Sequence, residues 1–370
     1  MSEIRIETLS QVHIGNGVFL HEGNDFLVDG NYTYVLNLDK LGTVIGTEQT
    51  IIQQWVKAIN DGASGAFIKN HTKGIPYNDI SKRRILCSNT FNQAQNTLKE
   101  QLHDGFGRPY IPGSSIKGAI RTAVLSTLAK EKIGERLKNE DNKGKWKKII
   151  FGMEDELLHF YSGDKSKKKD DPSNDLFRFL NTGDAYFEQG SELVVRQMNL
   201  NIREKDSLLD GKKQQAVEVI RKGAVSHFRM KVMDDFYRKS IISDFQGLQD
   251  LIELINNHTY QLICDEIEFW DKGEGAAYTG QDTYLDQLET ILDSIDACQT
   301  NECVLRIGQA SGWRFITGAW LEKIDRGYFK KEIVPLCRPR NNNYSQYPFP
   351  KSRRIDDASN VFGFVKLTVL

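Results

Sequence analysis

The residues best suited to chemistry in this chain lie in the segment IPGSSIKGAIR, residues 111–121. Pro112 restricts the residue before it to extended backbone, and Gly113 permits a tight turn. Ser114 or Ser115 can then cap the start of a helix. The free main-chain N–H groups at a helix N-terminus carry partial positive charge and attract anions. This segment therefore predicts a helix whose first turn faces a phosphate or another anion.

Two cations follow inside the same predicted helix. Lys117 and Arg121 are four residues apart, so they lie on one face of the helix with Gly118 beside them. The pair strengthens the prediction of an anion site, although an ordinary capped helix with two solvent-facing cations explains the pattern equally well. A nucleotide-binding P-loop is excluded because its order of glycines, lysine and hydroxyl residue is absent.

A second glycine-rich segment, RIGQASGW, begins at Arg306. Gly308 and Gly312 mark places where the backbone turns sharply or approaches another group closely. Arg306 and Arg314 add positive charge, and the indole ring of Trp313 offers a face for stacking on an unpaired base. Taken alone, a glycine-rich hairpin around a core tryptophan is the better interpretation, but the residue types also suit contact with RNA.

The segment RPRNNNYSQYPFPKSRR, residues 338–354, carries the most concentrated positive charge. It holds no acidic residue, and three aromatic residues are interleaved with its cations. Cations neutralise phosphates, and aromatic rings stack on unpaired bases. A solvated basic loop is the alternative interpretation. The five cations are Arg338, Arg340, Lys351, Arg353 and Arg354.

The bulk composition limits these interpretations. Lys and Arg total 49 against 50 Asp and Glu, so any surface that binds nucleic acid is a local patch and not a property of the whole chain. The 5 cysteines form no C-x-x-C pair, which argues against a zinc site and favours free thiols in a reducing cytoplasm. No apolar run is long enough for a signal peptide or a membrane span, and we expect a cytoplasmic protein.

Periodicity predicts a mixture of strands and helices without regular βαβ repetition, which is typical of α+β packing. A lysine-rich stretch, residues 138–171, is poor in apolar residues and is expected to be a surface insertion. We place a domain boundary near Leu180. The main predicted elements are strands at 4–15, 223–233 and 361–370, a hairpin at 25–38, and helices at 115–133, 244–270 and 281–297.

The segment PYIPGSSIKGAIR resembles the signature of the RAMP superfamily, the repeat-associated proteins that bind CRISPR RNA. Three further motifs follow the same order as in that family: LSQVHIGNG near the start, RIGQASGW, and FPKSRRI followed by FGFVKL. In combination they resemble the subunits that cap the 3′ end of the CRISPR RNA (crRNA) in type III-A effector complexes. The resemblance implies two RAMP domains of ferredoxin-like or RRM-like fold with helical and loop insertions, at residues 1–180 and 181–370.

The resemblance also implies what the chain binds. Its glycine-rich loops are expected to contact RNA, including His13, Gly15 and Gly17 of the HIGNG loop. The implied partners are the crRNA, the backbone RAMP subunit, a small helical subunit and, transiently, a host nuclease that trims the RNA. No cofactor, metal ion or membrane is implied.

Catalysis is the point on which the alternatives differ most. Backbone subunits of these complexes resemble this chain and cut target RNA with an aspartate in a loop after the first strand. Asp25 lies in that region, but its surroundings, HEGNDFLVDG, do not reproduce the loop of those subunits. We predict a binding subunit without a catalytic residue. A RAMP endoribonuclease that acts on precursor or target RNA through Asp25 is the alternative.

Overall fold

The computed structural model describes residues 1–46, 48–88, 96–132, 157–160, 172–202, 208–240, 245–316, 320–324, 326–337 and 347–370. Most of the predicted lysine-rich insertion lies outside these residues, as do two of the predicted RNA-binding cations, Arg338 and Arg340.

Fifteen strands are present in the described part of the chain. They are β1 (Ser2–Thr8), β2 (Gly15–His21), β3 (Phe26–Asp29), β4 (Tyr32–Leu36), β5 (Ser81–Cys87), β6 (Thr97–Gln101), β7 (Tyr110–Ile111), β8 (Leu180–Thr182), β9 (Ala185–Tyr186), β10 (Glu192–Asn201), β11 (Leu209–Ile220), β12 (Val225–Val232), β13 (Glu302–Arg306), β14 (Ser352–Asp356) and β15 (Phe364–Val369).

The α-helices are α1 (Leu38–Ile45), α2 (Gln49–Asn60), α3 (Ser64–His71), α4 (Gly113–Lys132), α5 (Asp234–Lys239), α6 (Leu248–Asp271), α7 (Asp282–Asp296), α8 (Trp320–Ile324), α9 (Arg326–Tyr328) and α10 (Val334–Cys337). Short 3₁₀ turns span Tyr77–Ile80, Pro172–Asn174, Leu176–Phe179 and Trp313–Phe315, and a π-helical turn spans Phe329–Ile333.

One sheet has five antiparallel strands in the order β13-β15-β1-β12-β8. Along β1 and β12, buried residues alternate with more exposed ones, as in strands that face a core on one side. Ile4 and Ile6 of β1 are buried, and so are Phe228 and Met230 of β12. On the covered face, α4 and α6 pack against each other and against this sheet, and together they form the main core.

Helix α4 is amphipathic because its apolar residues recur every fourth position. Its apolar row is fully buried in the main core, as the sequence predicts: Ile116, Ile120, Val124 and Leu128. This burial holds the start of the helix in place at the edge of the core.

The larger sheet follows the order β2-β6-β11-β10-β5-β4-β3. One edge of β10 is shared, since β5 pairs with it in parallel near Leu193 and β14 pairs antiparallel from Gln197 to Asn201. β2 is an edge strand with an irregular register between Gly15 and Phe19. The remaining pair, β7 and β9, joins Tyr110 to Tyr186 directly before α4.

The α+β prediction is confirmed, and so are the hairpin at 25–38 and the three predicted helices, which correspond to α4, α6 and α7. The first strand is shorter than predicted, because Leu9 and Ser10 leave the ladder to bond the carbonyl of Phe364. Each sheet combines strands from before and after residue 180. The division into 1–180 and 181–370 is therefore not a division between the sheets, and it stays a prediction.

Candidate nucleic-acid interface

The HIGNG and RIGQASGW loops are in direct contact. The main-chain N–H of Gln309 donates a hydrogen bond to the carbonyl oxygen of His13 at 2.9 Å. Gly308 has a φ of +83°, and a Cβ atom there would lie 2.6 Å from the same oxygen. Glycine is required at this position because a side chain would clash with the first loop and strain the backbone. Two motifs almost 300 residues apart thus form one surface.

The C-terminal motif joins the same surface. Gly363 donates from its N–H to the carbonyl of Gln11 at 2.8 Å, and its own carbonyl accepts from Ile307 at 2.8 Å. Ser10 accepts a hydrogen bond from the N–H of Phe364 through its hydroxyl oxygen, at 2.9 Å. Two of these bonds join main-chain groups and the third joins a main-chain N–H to a side-chain hydroxyl, and together they connect the three segments.

Gln101 connects the HIGNG loop to the strand that leads into α4. Its side-chain oxygen accepts from the N–H of Ile14 at 2.9 Å, and its amide nitrogen donates to the carbonyl of Tyr110 at 3.4 Å. Gln101 is fully buried, so a substitution that cannot make these bonds leaves polar groups without partners. No local pattern in the sequence marks this residue, because both of its partners are set by the tertiary fold.

A buried ionic cluster lies beneath the HIGNG loop. Arg83 donates to both oxygens of Glu218, each at 3.0 Å, and to Glu100 at 2.7 Å. Glu100 in turn accepts from the side chain of Asn16. Burial raises the pKa of Glu218, and the charge of Arg83 opposes that shift. Among the described residues, Glu100, His103 and Glu218 are close enough to share a metal ion, but Arg83 already forms ion pairs with both carboxylates.

His13 is part of this support and is not exposed. Its Nδ1 lies 2.7 Å from the carbonyl oxygen of Glu218, which requires Nδ1 to carry the proton. Burial lowers the pKa of His13 to about 4, and the nearby charges of Lys99 and Arg354 act in the same direction. His13 is therefore neutral at physiological pH and holds the loop by hydrogen bonds.

The exposed part of this surface is basic. Gly15 and Gly17 present their backbone to solvent, and Gly17 has a φ of +86°. Partial burial lowers the pKa of Lys99, and the positive charge of nearby Arg354 lowers it further. Within the described ranges neither cation forms an ion pair. The charges of both cations act on His13, which precedes this exposed backbone, and such a surface attracts anions. The sequence did not predict Lys99 as a ligand, because this residue belongs to none of the glycine-rich or basic motifs.

The start of α4 differs from the predicted anion site. The helix begins at Gly113, so Pro112 and not a serine precedes its first turn. The N–H of Gly113 donates to the carboxylate of Asp184 at 2.8 Å, and a Cβ on Gly113 would lie 2.2 Å from the carbonyl oxygen of Thr182. A carboxylate of the chain itself thus occupies the first amide, while Ser114 remains exposed and Ser115 half-buried.

The two cations of α4 that the sequence predicts as anion ligands differ in their environment. Arg121 donates from Nη1 to both oxygens of Asp175, at 3.0 and 2.8 Å, and its guanidinium lies over the ring of Phe177. Lys117 is half-buried, and partial burial lowers its pKa. Lys117 makes no ion pair with the described residues, so of these two cations it is the one more open to an external anion. Gly118 is exposed and has open space around it.

Two predicted phosphate ligands are internal. Arg353 is 8% exposed and binds Glu266 through Nε at 2.6 Å and Nη2 at 3.1 Å. Arg314 adds a third contact to Glu266 at 2.8 Å. Arg306, also buried, donates to the carbonyl oxygens of Phe362 and Ala310. These guanidinium groups tie the RIGQASGW loop to α6 and β14, a role that the sequence does not reveal.

The other predicted residues lie at the rim of this region. Trp313 is half-buried and packs against the rings of Phe329 and Phe349, while Gly312 is exposed with a φ of +80°. Lys351, directly before β14, is half-buried, and Arg354, within β14, is exposed. Alternation along this strand explains why Arg353 and Arg354 differ, since adjacent side chains point to opposite faces.

Asp25 has a structural role in this fold. Its carboxylate accepts from the N–H of His21 at 2.8 Å and closes the turn between β2 and β3. It does not belong to the group of described residues that could share a metal ion. None of the helices that the structure describes is long and apolar enough to cross a membrane.

A family model described as the RAMP superfamily matches residues 5–315. The chain therefore belongs to the RAMP superfamily, which confirms the prediction made from its motifs. Within it, the chain is similar to proteins named CRISPR system Cms protein Csm5. The relative from Streptococcus thermophilus is 26% identical over 205 residues, covering 53% of this chain and 54% of that protein. This match thus spans about half the length of that relative. The relative from Methanocaldococcus jannaschii is 23% identical and covers 100% of this chain and 89% of its own length.

Two solved structures share the fold. One is a chain of a Csm–crRNA–target RNA ternary complex of a type III-A CRISPR-Cas system, with a TM-score of 0.70, 21% identity and 100% coverage of both chains. The other is Csm5 of T. onnurineus, with a TM-score of 0.63 and 20% identity over 99% of this chain and 100% of that chain. These likenesses confirm the predicted RAMP fold.

Proposed function

We propose that this chain is an RNA-binding subunit of a type III-A CRISPR effector complex that caps the 3′ end of the crRNA filament. Membership of the RAMP superfamily and similarity to Csm5 proteins support this proposal. A structural neighbour that was solved in a Csm–crRNA–target RNA complex supports the same class of function.

The observation that carries the proposal is the exposed bend Gly15–Gly17, which follows His13, a residue on which the charges of both Lys99 and Arg354 act. Exposed amides bind phosphate oxygens, and cations without acidic partners gain most from a nearby phosphate. The bend is supported from below by neutral His13 and by the RIGQASGW loop. Such a surface holds the RNA backbone and does not read bases, so we expect little sequence preference.

The residues predicted from the sequence then divide into two roles. Those proposed to contact RNA are exposed or half-buried: Gly15, Gly17, Ser114, Ser115, Lys117, Gly118, Gly312, Trp313, Lys351 and Arg354, with Lys99 added. Those proposed to support the contact surface are engaged inside the protein: His13, Gly113, Arg121, Arg306, Gly308 and Arg353. Arg338 and Arg340 stay sequence-based predictions.

We propose that the subunit is not catalytic. The support is that Asp25 accepts a hydrogen bond that closes a turn and that the carboxylates of Glu100 and Glu218 are both paired with Arg83. In the cytoplasm it would bind the backbone RAMP subunit and the small helical subunit, and a recruited host nuclease would trim the RNA. Labelled RNA incubated with metal-supplemented protein, alone and in the complex, tests this. Cleavage that Asp25→Ala abolishes would establish the endoribonuclease alternative.

The binding proposal is tested with Lys99→Ala combined with Arg354→Ala. Single-stranded RNA affinity should fall, and the slope of log affinity against log salt should decrease by about 1.4, or about 0.7 for each phosphate contact. Lys57→Ala combined with Lys69→Ala is the matched control, since both lysines are exposed on α2 and α3. An unchanged slope in the first variant excludes these cations from the interface.

The end of the RNA is tested separately in the assembled complex. A photoreactive nucleotide at the 3′ end of the crRNA should crosslink to residues around Gly15 and Gly312, and one at the 5′ end should not. Crosslinking from the 5′ end alone would contradict the capping proposal while leaving RNA binding intact.

A further inference from the structure

Phe106 is the most exposed large apolar residue of the described chain, with 81% of its surface accessible. It lies in the turn between β6 and β7, directly before the start of α4. An exposed phenyl ring is unfavourable in water, because burying such a side chain typically gains about 1.5–3 kcal/mol.

The ring is the end of a stack of four planar groups. Tyr110 and Tyr186 stack with ring centroids 5.2 Å apart and an interplanar angle of 27°. The guanidinium of Arg108 lies 4.8 Å from the centroid of the Tyr186 ring, and it also lies 5.8 Å from that of Phe106. Arginine and aromatic faces attract each other, so each layer supports the next.

The turn that carries Phe106 is held rigid. The carboxylate of Asp104 accepts from the N–H groups of Phe106 and Arg108, at 3.0 and 2.8 Å, and from the Arg108 side chain. The carbonyl of Phe106 accepts from the side chain of Gln189 at 2.7 Å. Gly107 has a φ of +78°, which closes the turn. The backbone that carries the ring is therefore already ordered before binding, so little backbone entropy is lost when a ligand binds.

The stack is joined to the start of α4. The carboxylate of Asp184 accepts from the hydroxyl of Tyr186 at 3.2 Å through one oxygen and from the N–H of Gly113 at 2.8 Å through the other. The side chain of Asp184 thus links the stack to the first turns of α4, which carry Lys117. A ligand that reaches the phenyl ring lies beside the region proposed to bind RNA.

We infer that Phe106, backed by Arg108, Tyr186 and Tyr110, is a stacking platform for one unpaired base of the bound RNA. This inference rests on the proposed RNA-binding function and adds a base contact to a surface otherwise made for the backbone. A free base has the flat face and the polarisability that continue such a stack, and every base has one, so the contact is independent of sequence. The Asp104–Arg108 pair is internally neutral and places no net charge against the RNA.

The test uses the full chain and single-stranded RNA oligonucleotides that carry 2-aminopurine at successive positions. Stacking quenches the fluorescence of this base, so one position should be quenched on binding. Phe106→Ala and Phe106→Leu should remove the quenching and weaken binding roughly five- to hundredfold, the range expected for one stacked base. Phe106→Trp should keep both. Leu86→Ala, which also removes an exposed apolar side chain, is the control.

The outcomes separate the two proposals. If the double variant Lys99→Ala with Arg354→Ala binds RNA more weakly while Phe106→Ala and Phe106→Leu do not, Phe106 does not stack on a base. The proposed RNA-binding function is then still supported. If the Phe106 variants bind RNA normally but fail to join the protein complex, the ring is an anchor for another subunit and the inference is overturned. Absence of RNA binding by the unaltered chain, alone and in the complex, overturns both. Circular dichroism of each variant confirms folding.

Discussion

The main-chain hydrogen bond from Gln309 to His13, 2.9 Å long, connects two glycine loops that lie at opposite ends of the sequence. Gly308 sits against the same carbonyl and gives the second loop its shape. Because the exposed bend of the first loop rests on this contact, the surface proposed to bind RNA depends on how the two loops pack together.

Gly308→Ala should lower the free energy of unfolding by about 1–3 kcal/mol for the backbone conformation and by a further amount for the clash with His13. Gly312→Ala is the matched control: its φ is similarly positive, +80°, but a Cβ there meets nothing within 4 Å. Urea denaturation of both variants measures the difference. Equal losses would mean that the loops are not in contact.

Gly113 and Gly118 are five residues apart in α4 and should respond in opposite ways. Gly113→Ala forces a Cβ to within 2.2 Å of the carbonyl of Thr182, so we expect clear destabilisation in thermal unfolding. Gly118→Ala meets open space, and replacing a helical glycine should stabilise the protein by up to about 1 kcal/mol. A destabilised Gly118→Ala would contradict the described environment of this helix.

Arg353 and Arg354 are neighbours on β14 with opposite roles. Arg353→Ala leaves the buried carboxylate of Glu266 short of a partner, and loss of about 3–5 kcal/mol of stability is expected. Arg354→Ala should change stability by no more than about 0.5 kcal/mol, since this side chain is exposed. Chemical denaturation compares the two. The roles given to Arg353 and Arg354 would be wrong if Arg354→Ala were the more destabilising change.

His13 makes stability depend on pH. Burial lowers its pKa from 6.5 to about 4, so between these values the unfolded chain binds a proton that the folded chain does not. The free energy of unfolding should therefore rise with pH across this window, by about 3 kcal/mol in total from this group. His13→Asn cannot titrate but keeps a donor for the carbonyl of Glu218. Unfolding measured from pH 4.5 to 7.5 should show a shallower rise in this variant.

A second group acts at lower pH. Burial alone would raise the pKa of Glu266, but the guanidinium groups of Arg353 and Arg314 lower it to about 2. Its contribution to stability is therefore complete above the pKa of an unfolded glutamate and is lost as the pH falls towards 2. The contributions of His13 and Glu266 can be measured separately, because the rise of the unfolding free energy with pH that His13→Asn removes lies above pH 4.

The local pattern of the sequence determined a large part of this protein. The four-residue spacing of Ile116, Ile120 and Val124 predicts α4, and the alternation around Phe228 predicts β12, because both depend only on near neighbours. The order of four glycine-bearing motifs was enough to place the chain in the RAMP superfamily, which the family model confirms.

Tertiary structure decided which charged residues are available. Arg306 and Arg353 look like phosphate ligands in the sequence, yet Glu266 and distant carbonyl groups occupy them. No motif marks Lys99 in the sequence, yet the fold brings it close enough to Arg354 for the charge of Arg354 to lower its pKa. Pairing between residues far apart in the chain depends on the positions of whole strands and helices. A local pattern holds no information about those positions, so the availability of a charge is decided only when the chain has folded.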